Sequence, residues 1–209
     1  YALVVRPIDR RSPTLVEDVR NFLEQQRLAG VLLLPPISEN EELAAMCRDI
    51  GCAYVRMGST ALDDSAHLVA SNDRDAVAEA TRHILALGHR RIGFIAGPPG
   101  FRSAEERTAG FEAALADAGV TMPRSMFADG NYTFDSGRAA AERLLDLSPR
   151  PTAIFASNDE MAAGVLHAAR QRELRVPDQL SIVGFDDTAI AAHIWPPLTK
   201  PPSAAALAA

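Results

Sequence analysis

The feature that most constrains the fold is a repeated pattern of an amphipathic helix, a single glycine and a short β-rich run. The glycines that separate helix from strand are Gly30, Gly51, Gly88 and Gly119. Glycine adopts a positive φ without a Cβ penalty, and for that reason it commonly ends a helix. Helices that alternate with strands are typical of βαβ units and a mostly parallel sheet. The sequence therefore predicts an α/β fold.

The elements follow from the spacing of apolar residues and from the turn residues between them. Predicted helices cover residues 12–28, 41–50, 75–87, 103–118, 134–147 and 159–171. Predicted strands cover residues 2–5, 31–34, 53–57, 92–96, 126–128, 152–157 and 180–184. The last residues, 203–209, have no amphipathic pattern, and we expect them to be frayed or artificial.

Composition and charge exclude several classes of protein. Uninterrupted apolar runs, such as the one at residues 31–34, are far shorter than the roughly 20 residues that cross a bilayer. The net charge of −6 argues against direct binding of nucleic acid by this polypeptide alone, because phosphate backbones require a basic surface. Two cysteines, Cys47 and Cys52, do not form a disulfide framework, so the reducing cytoplasm is the expected compartment.

Candidate functional residues lie directly after predicted strands, where open α/β sheets bind their ligands. Asn158 follows one strand, and Asp186 and Asp187 follow another. Each also has a structural interpretation: Asn158 is a good helix N-cap, and one of the two aspartates can form a cap or a turn. Arg107, near Glu105 in the first turns of a predicted helix, could equally be a solvated side chain.

The sequence favours a binding protein over an enzyme. It contains no nucleophile elbow, no dinucleotide fingerprint and no P-loop, and its histidines do not have the spacing of metal ligands. We therefore expect neither a metal nor a cofactor. An α/β enzyme that uses Asp186 or Asp187 as a general base remains a third possibility after the two binding functions described below.

Four motifs, together with their order, resemble the effector-binding domain of the LacI/GalR family of bacterial transcription regulators. The resemblance extends over about residues 1–199, and PPLTK from Pro196 is similar to the family's PPLTT, with Lys200 as a departure. The motifs are LALGHRRIGFIAGP from Leu85, SAEERTAGFEAAL from Ser103, RPTAIFASNDEMAAGVL from Arg150 and LRVPDQLSIVGFDDT from Leu174.

The resemblance implies a periplasmic-binding-protein type 1-like fold: two Rossmann-like lobes with parallel sheets, truncated at both ends, that close on an effector between them. Residues 1–87 and 196–209 would form the N-terminal lobe, and residues 88–195 the C-terminal lobe. The family pattern places a helix-turn-helix, a hinge helix, a first strand and a first helix before residue 1. Without that first strand, the strand at residues 2–5 would have backbone groups that still need partners.

The resemblance also implies effector-binding residues at matching positions. Ser103 and Arg107 match the family's S-x-x-x-R motif, whose arginine contacts effector hydroxyls. Asn158 matches the asparagine of the family's ND pair, and Asp186 matches the first aspartate of its G-F/Y-D-D motif. These side chains follow three different strands, so they can converge on one ligand.

Three further positions complete the implied site. Tyr132 lies where sugar-binding members often carry an aromatic residue, and Asp73 or Asp75 could reach the cleft from the first lobe. Carboxylates accept bonds from adjacent hydroxyls, an arginine donates to their neighbours, and an aromatic ring covers the apolar face of a sugar. The expected effector is therefore a sugar-like polyol.

The implied function is that of a ligand sensor. Binding of a small effector would shift the affinity for operator DNA of a helix-turn-helix that lies outside this sequence, in a cytoplasmic homodimer that has no contact with the membrane. The alternative is a periplasmic sugar-binding protein of an ABC transporter, which shares the fold but carries a secretory signal. The GHRRIGFI and SIVGFDD motifs favour the regulator.

Overall fold

The computed structural model describes residues 2–58 and 65–198. It divides the chain into two compact units, one that ends at Ala70 and one that begins at Ser71. This boundary precedes the predicted lobe boundary after residue 87, because the helix at Asp73–Ala86 packs within the second unit. The assignment of the two lobes stays a prediction, and its residues 199–209, including the end of PPLTK and the expected frayed tail, lie outside the described residues.

The first unit contains a three-stranded parallel sheet with strand order β1-β2-β3. Its core consists of side chains from both helices and the first two strands, among them Leu23, Leu33 and Leu43. Its elements are α1 (Leu15–Gln26), β1 (Gly30–Leu33), α2 (Glu41–Asp49), β2 (Ala53–Gly58) and β3 (Leu68–Ala70). The short strand β3 was not predicted, because three residues carry no readable alternation.

The predicted strand at residues 2–5 is wrong. Residues 2–8 have neither helical nor strand structure, and the Leu3 and Val5 side chains are exposed. A strand is stable only when its backbone groups pair with a neighbour, and within the described residues β1 pairs with β2 alone. An apolar run of suitable composition is therefore not sufficient to form a strand here.

The second unit contains a four-stranded parallel sheet with strand order β5-β4-β6-β7. The predicted α/β fold with parallel sheets is confirmed. The elements of the second unit are α3 (Asp73–Ala86), β4 (Ile92–Ala96), α4 (Arg102–Asp117), β5 (Phe127–Asp129), α5 (Phe134–Leu145), β6 (Ala153–Ala156), α6 (Asp159–Gln171), β7 (Ser181–Val183) and α7 (Ala189–His193).

Both faces of this second sheet are covered. In β6, Phe155 packs into a cluster with side chains of α3 and α4, whereas Ile154 packs into a second cluster with side chains of α5 and α6. Strands buried on both faces have continuous apolar runs, and all four residues of β6 are buried. Because the connections from β4 and β6 cross opposite faces of the sheet, a crevice is expected beyond the carboxyl ends of these two strands.

Most of the predicted helix-ending glycines are confirmed. Gly51, Gly88 and Gly119 have φ values of 66°, 91° and 64°. The prediction for Gly30 is wrong, because α1 ends in a left-handed Arg27 (φ 48°) and Gly30 is the first residue of β1. Arg27 donates its backbone N–H to the carbonyl of Glu24, which closes the last turn without a glycine.

Candidate functional site

Arg107 is the central side chain of a polar cluster at the carboxyl end of the second sheet. It lies in the second turn of α4, and its side chain is only 11% exposed. Its guanidinium donates through Nε to Asp73 (2.7 Å), through Nη1 to the Ser157 carbonyl (2.5 Å) and through Nη2 to Asp186 (2.8 Å). Each of these partners comes from a different loop or helix, so the guanidinium is held in one orientation.

Asp73 is the predicted aspartate that joins this cluster, and Asp75 is not. Asp73 is the first residue of α3. Its side chain is only 4% exposed and forms an ion pair with Arg107. Asp75 is exposed, and it accepts a bond from the Asn72 side chain at 2.8 Å. Residues two apart on a helix point in different directions, so only one of the two carboxylates can reach Arg107.

Asp186 lies in the loop after β7 and is the more accessible carboxylate of the cluster. Its side chain is 35% exposed, and its backbone has a φ of 96°. Burial and the nearby negative charges of Asp159 and Asp73 raise the pKa of Asp186, although Arg107 acts in the opposite direction. A carboxylate that is both ion-paired and open to solvent can accept a bond from a ligand hydroxyl.

The carboxylates beside Arg107 stabilise its protonated, positively charged form. Burial by itself lowers the pKa of Arg107, but the charges of Asp186 and Asp73 more than offset this effect and raise it. The guanidinium also lies 4.1 Å from the ring centroid of Phe185, in a cation–π arrangement. Phe185 was not among the predicted site residues, although its place in the Gly-Phe-Asp-Asp motif was a usable signal.

Tyr132 and Ser103 lie together beside Arg107. The Tyr132 ring centroid is 5.8 Å from the guanidinium carbon, and its hydroxyl is 3.1 Å from the Ser103 hydroxyl. Burial raises the pKa of Tyr132. The ring lies directly over Gly97, where a Cβ would overlap it. The glycine after β4 therefore makes room for an aromatic ring at the edge of the cluster.

Phe101 extends this aromatic surface. Its ring meets the Tyr132 ring edge-on, with centroids 6.1 Å apart. The residue precedes α4, in the loop Gly97-Pro98-Pro99-Gly100-Phe101, and it was not among the predicted site residues. Aromatic residues in such loops have no distinguishing spacing, and contact with a second ring is visible only in the folded structure.

Asn158 connects the helix α6 to the loop that carries Tyr132. Its Oδ1 accepts a bond from the Met161 backbone N–H (2.9 Å), so it is the N-cap of α6, as its structural interpretation predicted. Its Nδ2 donates to the Tyr132 carbonyl at 3.1 Å. The residue is only 8% exposed. Asn158 thus lies beside the cluster without bonding to Arg107 or Asp186.

Asp159 is a buried residue that holds the loop carrying Asp186. Its Oδ2 accepts bonds from the backbone N–H (2.7 Å) and the hydroxyl (2.9 Å) of Thr188. Asp159 was not among the predicted site residues, because its position at the start of a helix does not reveal a bond to a residue 29 positions away. Asp159 therefore stabilises the loop after β7 from the first turn of α6.

Two classes of site are absent from the part of the chain that the structure describes. Within residues 2–58 and 65–198, no three His, Cys, Asp or Glu side chains are placed to hold a metal ion together. Over the same residues, every helix is too short or too polar to cross a bilayer.

Comparison with known proteins shows consistent similarity to one group. A family model for a periplasmic binding protein-like domain matches residues 81–208. The probable HTH-type transcriptional repressor ExuR of Bacillus subtilis is 32% identical to this chain, over 95% of the chain and 58% of the repressor. The chain spans little more than half the length of the curated relatives it matches.

Solved structures have the same fold. The transcriptional regulator CelR, in complex with cellobiose, is 34% identical, with a TM-score of 0.79 over 91% of this chain and 58% of that one. A sugar-binding LacI-family regulator from Escherichia coli, complexed with phosphate, is 28% identical, with a TM-score of 0.82 over 91% of this chain and 69% of that one. The chain belongs to the periplasmic binding protein-like domain family, in the group of the LacI-family transcriptional regulators.

Proposed function

We propose that the second unit binds a neutral, hydroxyl-rich effector, a sugar or a related polyol, against Arg107, Asp186 and the ring of Tyr132. The observation that carries this proposal is the guanidinium of Arg107, oriented by two carboxylates and placed beside an aromatic ring. The cluster offers the contacts that a sugar requires: hydrogen-bond donors, an accessible acceptor and an apolar face.

The guanidinium has the capacity for further bonds. Arginine carries five N–H groups, and the bonds to Asp73, Ser157 and Asp186 use three of them. The remaining two, one on each terminal nitrogen, are available to ligand hydroxyls. A fixed guanidinium loses little conformational entropy when it binds, so each such bond contributes more to affinity.

The charge balance of the cluster favours a neutral ligand. Arg107 contributes one positive charge, and the ionised carboxylates of Asp73 and Asp186 contribute two negative charges, so the net charge is −1. A sugar phosphate or a uronate would add negative charge beside two carboxylates, which costs binding energy. A neutral sugar avoids this cost.

The ring of Tyr132 supports a sugar over a simple small polyol. Its position over Gly97 and against Phe101 leaves it supported from two directions. Aromatic rings pack against the apolar C–H face of a pyranose while the hydroxyls at the ring edge reach polar side chains. The similarity to a regulator solved with cellobiose supports the same class of ligand.

We propose that this binding regulates transcription by a longer protein. The effector would favour one of two conformations, and this difference in affinity would shift operator binding by a DNA-reading domain outside this sequence. The relatives ExuR, CelR and the ribose operon repressor are transcriptional regulators or repressors, which favours this proposal over a transporter component. We further propose a cytoplasmic homodimer, with no bond made or broken in the effector.

The proposal is tested by a thermal-shift screen of this chain with cellobiose, other neutral mono- and disaccharides, uronates, sugar phosphates and nucleobases. A neutral sugar at a hundred times its Kd should stabilise the native state by about 2.7 kcal/mol. The sugar should be recovered chemically unchanged after incubation. If nucleobases or anionic sugars produce the shift and neutral sugars do not, the proposal is wrong.

Two aspartate variants make the screen specific for this site. Asp186→Asn should abolish the shift, because the amide cannot act both as the partner of Arg107 and as an anionic acceptor for hydroxyls. Asp75→Asn is the matched control and should keep the full shift, since Asp75 contacts Asn72 and not the cluster. Equal responses from both variants would place the ligand elsewhere.

A further inference from the structure

Tyr132 is held in a backbone conformation that aromatic residues rarely adopt. Its φ is 68°, in the left-handed region, within the loop between β5 and α5. A residue with a side chain remains in this region only where its surroundings hold it there. The conformation determines the direction of the ring, which lies over Gly97 and beside Arg107.

A hydrogen bond from Asn158 reaches this backbone from outside its own loop. The Nδ2 of Asn158 donates to the Tyr132 carbonyl at 3.1 Å, across 26 positions of sequence. Within the loop, Asn131 accepts bonds from the backbone N–H and hydroxyl of Thr133, which holds the segment that follows Tyr132. The Asn158 amide therefore links the left-handed residue to the N-terminus of α6.

The close packing of α5 and α6 brings Asn158 to this carbonyl. A Cβ at Gly164 of α6 would collide with the Phe134 carbonyl at the start of α5, and a Cβ at Gly137 would collide with the backbone of Met161. Both contacts lie near the N-termini of the two helices. The loop before α5 and the N-cap of α6 are consequently neighbours.

Both the oxygen and the nitrogen of the Asn158 side-chain amide form hydrogen bonds within the protein. Its oxygen caps α6 through Met161, its nitrogen holds Tyr132, and the residue is 8% exposed. The resemblance to regulators implies a direct ligand contact at this position, whereas these contacts place the side chain behind Tyr132.

We propose that Asn158 is a positioning residue: its amide N–H fixes the Tyr132 backbone in the left-handed conformation and thereby orients the ring beside Arg107. The importance of this ring for an effector rests on the proposed function above. The orientation itself does not, so it is tested without any ligand.

The test is the substitution Asn158→Asp in this chain, with ring-labelled ¹³C-tyrosine as the probe. Aspartate keeps the oxygen that caps α6 and replaces the donating amide with an acceptor that repels the Tyr132 carbonyl. Of the three tyrosines in the sequence, the Tyr132 signal is assigned by its loss in Tyr132→Phe. We expect Asn158→Asp to shift this signal towards that of an exposed tyrosine and to leave the Tyr54 signal unchanged.

Asn40→Asp is the matched control. Asn40 is the N-cap of α2, where its Oδ1 accepts bonds from the backbone N–H groups of Glu42 and Leu43. The same chemical change at this cap should leave the Tyr132 signal in place, so a general effect of a new charge at a helix N-terminus is separated from the loss of the amide donor.

The outcome is decisive in either direction. An unchanged Tyr132 signal in a folded Asn158→Asp protein overturns the proposal, as does an equal shift in Asn40→Asp. If Asn158→Asp fails to fold, Asn158→Ser provides a neutral capping hydroxyl without the amide donor, and the same shift is expected. Failure of the sugar screen would leave this result unaffected, so the two proposals can fail independently.

Discussion

Removal of the Asp73 carboxylate is the most informative perturbation of the site. Asp73→Ala leaves Arg107, whose side chain is 11% exposed, without the partner of its Nε. Breaking a buried ion pair from one side typically costs about 3–5 kcal/mol, because an uncompensated charge remains. Arg107 keeps Asp186 and the Ser157 carbonyl, so we expect a smaller loss of about 2–3 kcal/mol.

The measurement is urea-induced unfolding of the chain, with thermal unfolding as a second probe. For a protein of this size, about 2–3 kcal/mol corresponds to a decrease in Tm of roughly 5–10 °C. Asp75→Ala is the matched control: it removes a carboxylate from the same first turn of α3, and so from the same helix dipole, but not from the cluster. We expect this exposed change to cost less than about 0.5 kcal/mol.

A double-variant cycle separates the ion pair from other effects. Arg107→Met removes the charge from the other side, and Asp73→Ala with Arg107→Met removes both charges together. The double variant should be destabilised by clearly less than the sum of the single variants, with a coupling of about 1–3 kcal/mol. Strict additivity, or equal losses for Asp73→Ala and Asp75→Ala, would refute this reasoning.

Three further predictions concern packing, pH and thiol reactivity. Gly164→Ala should destabilise the chain by about 1–3 kcal/mol in urea, since the new methyl group would collide with the Phe134 carbonyl. The folded state raises the pKa of Asp186, so the folded chain takes up the proton before the unfolded chain does. Wild type should therefore gain stability relative to Asp186→Asn as the pH falls from above the raised pKa to the ordinary value of 3.8. Alkylation at pH 8 should modify Cys52 before the buried Cys47, whose pKa burial raises to about 11.

Each of these has a clear contrary result. A Gly164→Ala protein as stable as wild type would show that α5 and α6 can separate without cost. A wild-type chain that loses stability relative to Asp186→Asn on acidification would mean that Arg107 lowers the pKa of Asp186 below its ordinary value. Faster alkylation of Cys47 would contradict its burial.

Local sequence patterns determined the order and type of most elements. The helices at Asp159–Gln171 and Glu41–Asp49 and the strand at Ile92–Ala96 lie where apolar spacing and capping residues predict them. These signals depend on a few neighbouring residues. Gly88, for example, has a positive φ just after the end of α3, where a helix-ending glycine is predicted. Motifs also placed Arg107 in the correct helix and Asp186 after the correct strand, since their positions within those motifs are local.

Tertiary structure decided which of these residues meet. Asp73 reaches Arg107 across 34 positions and Asp186 reaches it across 79, whereas Asp75 does not reach it at all. Spacing along the chain cannot distinguish two aspartates in one helical turn, because the choice depends on how α3 packs against α4. The same reason explains why residues 2–5, with the composition of a strand, have no strand structure: strand formation requires a partner, and a partner is supplied only by the fold.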